Sequence, residues 1–97
     1  MTKFNDYINT NAEKLDLYTT AITRAHGKNH PEAFDVRDIY VRIQDKTQVA
    51  EEEQPDLNTE FTTLREISDN YTIPDDVCET YAAVYTMLKE ADSLYLS

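Results

Sequence analysis

Glycine occurs once in this chain, cysteine once and tryptophan not at all. A single glycine cannot build a loop that cradles phosphate through several backbone amides. A single cysteine, Cys78, can form no internal disulfide and no thiolate zinc cluster, which fits a reducing compartment. An unpaired cysteine most often behaves as a small buried hydrophobe, so Cys78 is expected to be a packed thiol. No apolar run approaches the roughly 20 residues of a membrane span, and the N-terminal residues lack the charged-then-apolar layout of a signal peptide, so a cytoplasmic home is expected. Positive charge is also scarce: nine basic residues face nineteen acidic ones, for a formal charge of −10. That field repels phosphate backbones and anionic lipid, so neither nucleic acid nor a membrane is an expected partner. Strand-like alternation, repeats and low-complexity tracts are missing too.

What the 97 residues do contain is apolar spacing at three, four and seven, enough for one domain and too little for two cores. Phe4, Ile8, Leu15, Tyr18, Ile22 and Ala25 define a helix over about 3–25, with Thr2 as its cap and a weak stretch at Asn9-Thr10-Asn11 where it could bend. Ala33, Val36, Ile39, Tyr40 and Ile43 define a second over about 31–52, capped by Asn29 or His30 and stopped by Pro55. Phe34 and Val41 fall off its stripe and offer a second apolar edge. Leu57, Phe61, Leu64 and Ile67 mark a short third helix over about 56–68 with Asp56 as cap. Val77, Tyr81, Val84, Tyr85, Leu88, Ala91 and Tyr95 mark a fourth over about 74–95. Thr72 and Asp75 resemble its capping box, and Asp75-Asp76 would complement its dipole. The expected fold is all-α, an up-down-up-down four-helix bundle.

The stretch His26-Gly27-Lys28-Asn29-His30-Pro31-Glu32 divides the first two helices and holds the only glycine and both histidines. Glycine past a helix end and proline opening the next imply a reversal, with Gly27 in the left-handed conformation. His26, His30 and Glu32 could contribute to a divalent metal site, although such sites need three or four ligands in a preset geometry. Glu51-Glu52-Glu53 reads as a solvated acidic helix end, with no calcium-binding loop around it. A ferritin-like di-iron site needs Glu three residues before each histidine, where Thr23 and Gly27 stand instead. A Cys78-His26 nucleophilic pair would need the start of the fourth helix beside the end of the first, and no elbow or oxyanion glycine accompanies it.

The run from Ile22 to Glu32 resembles the segment Arg-Val-His-Gly-x-x-His-Pro-Glu of the hemerythrin-like domain in the iron-sulfur cluster repair (RIC) di-iron family. Ile73-Pro74-Asp75-Asp76-Val77-Cys78-Glu79-Thr80-Tyr81, followed by Tyr85 and Leu88, resembles that family's Pro-x-x-Ala-Cys-x-Thr-Tyr-x-x-x-Tyr-x-x-Leu. The resemblance spans nearly the whole chain and implies a hemerythrin-like bundle. It also implies that most iron ligands are missing. Phe4 and Asn5 stand near the family's first histidine pair, and Thr47 near an imidazole of the second helix. The sequence ends at Ser97 without the last ligands, leaving His26 and Glu51. The resulting expectation is a non-catalytic helical module in cluster or nitrosative-stress handling, without a cofactor and with an unidentified protein partner. Two readings compete with it. One is a labile iron or zinc protein using His26, His30, Glu32 and Glu51, and the other is a homodimeric structural protein joined through Phe34 and Val41.

Overall fold

The computed structural model describes residues 2–97, in which four helices follow one another: α1 (Lys3–His26), α2 (Glu32–Ala50), α3 (Asn58–Ile67) and α4 (Glu79–Leu96). No strand occurs among the described residues. Thr2 caps α1 as expected, its hydroxyl oxygen accepting the Asn5 N–H at 3.0 Å. The helix runs unbroken through Asn9-Thr10-Asn11, where Asn11 Nδ2 donates back to the Tyr7 carbonyl at 2.9 Å.

α1 lies against both α2 and α4, and α2 lies against α3. Cross-helix bonds give the directions. Asn5 reaches Glu51 while Arg37 reaches Asp16, so α1 and α2 are antiparallel. Tyr7 reaches Glu90 and His26 reaches Cys78, so α1 and α4 are antiparallel as well. Tyr95 with Asn58 and Asp92 with Arg65 set α3 against α4 in the same sense. The result is an up-down-up-down bundle measuring 38 × 23 × 18 Å. Its core is the stripe residues of all four helices: Phe4, Ile8, Leu15 and Ile22 pack with Val36, Ile43, Phe61, Leu64, Val84 and Leu88. Among the described residues, no helix is long and apolar enough to cross a membrane.

Several local expectations are corrected. Ala25 is exposed, outside the core stripe. Pro31, preceding α2, has no side-chain cap, and Leu57 holds the cap position of α3, although Asp56 still accepts the Asn58 N–H at 3.2 Å. α4 starts at Glu79, five residues later than the capping-box pattern implies, so Asp75 and Asp76 lie in a turn ahead of it. The reason is α3. At ten residues it is about half as long as α2, and in the connection that follows Ser68 and Tyr71 are buried and Val77 packs against the core.

That connection begins with Asp69, Asn70 and Tyr71 at φ values of 52°, 55° and 63°, three successive non-glycine residues in the left-handed region. Each costs free energy that L side chains normally avoid. Bonds to Ser68 Oγ from Tyr71 N and to the Arg65 carbonyl from Asn70 N, at 2.9 and 2.8 Å, hold the turn closed. Asp69 is exposed, so relief of strain there can be measured cleanly. Asp69→Gly is expected to be more stable than Asp69→Ala by about 1 kcal/mol in urea unfolding. Equal midpoints for the two variants would show that the turn carries no strain.

Candidate functional site

At one end of the bundle the close of α1, the 27–31 turn, the start of α2 and the start of α4 come together. The α1 helix does not stop abruptly, since the His26 carbonyl accepts N–H groups from both Asn29 and His30. Gly27 is right-handed, with φ −56° and ψ −29°, which overturns the expected left-handed turn. Glycine is needed there for space. A Cβ on Gly27 would lie 2.6 and 2.7 Å from ring atoms of Phe34 and would crowd the Thr23 carbonyl. Phe34, half exposed, thus covers Gly27 within its own chain.

The two imidazoles stand on the ring of Tyr81, which is fully buried. His26 meets it edge-on, centroids 5.4 Å apart at 89°, and His30 lies 5.6 Å from it. Beneath them the Tyr81 and Tyr85 hydroxyls are 3.0 Å apart, and burial pushes both phenols above their ordinary range. The bulk of Tyr81 therefore holds the histidines outward at the surface of the bundle.

Each histidine has its own partners. His30 Nδ1 is 3.1 Å from Glu32 Oε2, and its Nε2 is 2.8 Å from Asp76 Oδ1. An imidazole can donate to two carboxylates only as the imidazolium. The hydrogen bonds to Glu32 and then Asp76 accordingly raise His30 above its usual value, and the bond to His30 lowers Asp76. His26 instead faces sulfur, with Nε2 3.2 Å from Cys78 Sγ and 3.4 Å from the Cys78 backbone N. Cys78 is the residue before α4, extended at φ −82° and ψ 174°, and it is exposed. The packed-thiol expectation is overturned, because the late start of α4 puts Cys78 on the rim of the bundle.

The thiol is drawn down to about 7, first by the hydrogen bond with His26 and then by the backbone N–H of Tyr81; burial opposes them, and the Thr80 N–H lowers it further. These are the two devices that favour a thiolate: a neighbouring imidazole able to take the proton, and the free amides of a helix N-terminus. More of the thiol is then ionised near neutral pH than for an ordinary cysteine. The arrangement can accept an electrophile at sulfur while His26 holds or returns the proton.

His26, His30 and Glu32 therefore do meet, at the end of the bundle where Asp76 and Cys78 join them. Glu51 does not. It closes α2 at the opposite end, and the 19 residues of that helix span about 28 Å at 1.5 Å per residue. Among the described residues, no set of three or more His, Cys, Asp or Glu side chains is placed to hold a metal ion. Thr47 is buried and donates to the Ile43 carbonyl at 2.7 Å, and Asn5 is buried against the segment following α2.

The pairing of Cys78 with His26 carried only a weak signal in the sequence, since the contact joins residues 52 apart. Asp76 was missed because its stretch reads as helix. No family model, no curated protein and no solved structure matches the chain.

Proposed function

We propose that the protein is a small non-catalytic helical module, hemerythrin-like in build but depleted of iron ligands, that takes part in cluster or nitrosative-stress handling through one reactive thiol. The observation that carries this reading is the exposed Cys78 Sγ, 3.2 Å from His26 Nε2 at the start of α4. The four-helix architecture and the resemblance around residues 22–32 and 73–88 support the family part of the reading. The separation of Glu51 from the histidines favours thiol chemistry over a site built from His26, His30, Glu32 and Glu51.

The test is alkylation by iodoacetamide, a neutral reagent whose iodide leaves as the thiolate sulfur bonds to its methylene carbon. The pH-rate profile of the native protein should have its inflection at about 7. In His26→Gln the inflection should move toward the ordinary thiol value of about 8.5, and the rate at pH 7 should fall about tenfold. A native inflection at or above that ordinary value would overturn the reading. Circular dichroism of the variant separates loss of the imidazole from loss of the fold.

A further inference from the structure

We infer that the cavity between the end of α2 and the residues leading into α3 is a binding site for a small apolar amine, whose ammonium group is received by the buried carboxylate of Glu60. The site lies at the opposite end of the bundle from Cys78 and is independent of the thiol reading.

The cavity, of about 390 Å³, is lined on one side by Asp45, Lys46, Val49 and Ala50, neighbours on one face of α2, and on the other by Pro55 and Asp56. Such a volume suits a small organic ligand. Its walls are already fixed. Asn5 Nδ2 holds the Glu51 and Glu53 carbonyls, and the Leu57 N–H donates to the Tyr95 hydroxyl at 2.9 Å. A preformed site loses little binding free energy to its own ordering. Val49 is 84% exposed, so a hydrocarbon body laid over it removes apolar surface from water.

Glu60 supplies the polar end. It stands in the first turn of α3 and is 4% exposed. Lys46 Nζ donates to its Oε2 at 2.8 Å, while Oε1 is buried with no hydrogen-bond partner among the described residues. A buried carboxylate oxygen without a donor is costly, and native proteins rarely leave one. Lys46 joins that carboxylate to the cavity, since the same side chain lines the cavity and reaches Glu60. Half of it is exposed, so it is free to swing aside and admit a ligand donor. Charge selects the kind of donor. Asp45 and Asp56 are both exposed at the cavity, so with Glu60 there are three carboxylates against the single ammonium of Lys46. The formal charge of −10 on the chain favours a cation further. An ammonium brings three donors, and the walls of Val49, Ala50 and Pro55 receive the hydrocarbon.

The experiment titrates cyclohexylamine, cyclohexanol and cyclohexanecarboxylate into the intact protein at neutral pH, following backbone amides by NMR. These probes share one ring and differ in charge. The amine should saturate with a Kd of roughly 1 mM and shift Val49, Ala50 and Asp56 most. The alcohol should bind about tenfold more weakly, and the carboxylate should not saturate. Glu60→Gln keeps the shape, removes the charge and should weaken the amine about tenfold. Val49→Ser changes an exposed wall residue and should weaken it about threefold. Equal affinity for amine and alcohol, shifts centred elsewhere, or native-like amine binding in either folded variant would overturn the site. If circular dichroism shows that Glu60→Gln unfolds, Val49→Ser and the comparison of probes on the native protein decide.

Discussion

Asp92→Ala is expected to remove about 3 kcal/mol of stability, the largest loss from any single polar substitution in this chain. Asp92 is 5% exposed. Its two carboxylate oxygens accept from Arg65 Nε and Nη2 at 2.8 and 2.6 Å, a bidentate pair, and Oδ2 also accepts the Tyr71 hydroxyl at 2.7 Å. Alanine would leave a buried phenol without an acceptor and a partly buried guanidinium without its counter-ion. It would also release Tyr71, which holds a left-handed backbone conformation that its side-chain contacts must compensate. Burial and the bond to Asp92 push this phenol well above its ordinary value, so it remains a donor throughout the neutral range. Arg65 can recover some hydration, since a third of its side chain is exposed, which keeps the expected loss toward the lower end for a broken buried pair. Tyr71→Phe isolates the phenol and should cost about 1 kcal/mol. Urea unfolding of both variants decides the matter: losses below about 0.5 kcal/mol in each would mean that residues 68–78 are held by packing alone.

Asn5→Ala should cost about 2 kcal/mol at the other end of the bundle. Asn5 is fully buried, and its amide Nδ2 donates to the Glu51 and Glu53 carbonyls at 3.0 and 2.7 Å while Oδ1 accepts the Thr2 hydroxyl at 2.9 Å. One side chain thus ties the α1 cap to the segment that leaves α2. Glu51 needs the tie, because its φ of 56° and ψ of −103° are unfavourable for a residue with a Cβ. Asn5→Asp is the sharper variant, since it keeps the shape and replaces the donor by an acceptor aimed at two carbonyls. It should be at least as destabilising as alanine at pH 7. A tolerated aspartate would show that packing volume, and not donation from Nδ2, is what position 5 supplies.

The same two clusters show how far the sequence could be read. Helix number, order and inward faces were legible because helical spacing is a local property. A stripe such as Val36, Ile39, Tyr40 and Ile43 is buried on any bundle that the chain can form. The cap at Thr2 was legible for the same reason, since donor and acceptor lie three residues apart. The start of α4 was not. Thr72, Pro74 and Asp75 read as a helix opening, yet those residues lie in the non-helical connection that follows the short α3, with Tyr71 anchored on Asp92 some twenty residues ahead.

The site divides in the same way. The 26–32 turn is conspicuous by composition, with both histidines beside the only glycine. Its meaning changed when Phe34 proved to occupy the space over Gly27, and when His30 and His26 turned to Asp76 and Cys78. By itself the sequence determined an acidic all-α chain with four amphipathic segments, because charge and periodicity are sums over neighbouring residues. Only the tertiary structure decided that Cys78 meets His26 and that Glu51 lies far from both, because a hydrogen bond between residues 52 apart is set by how the helices pack, not by any spacing along the chain.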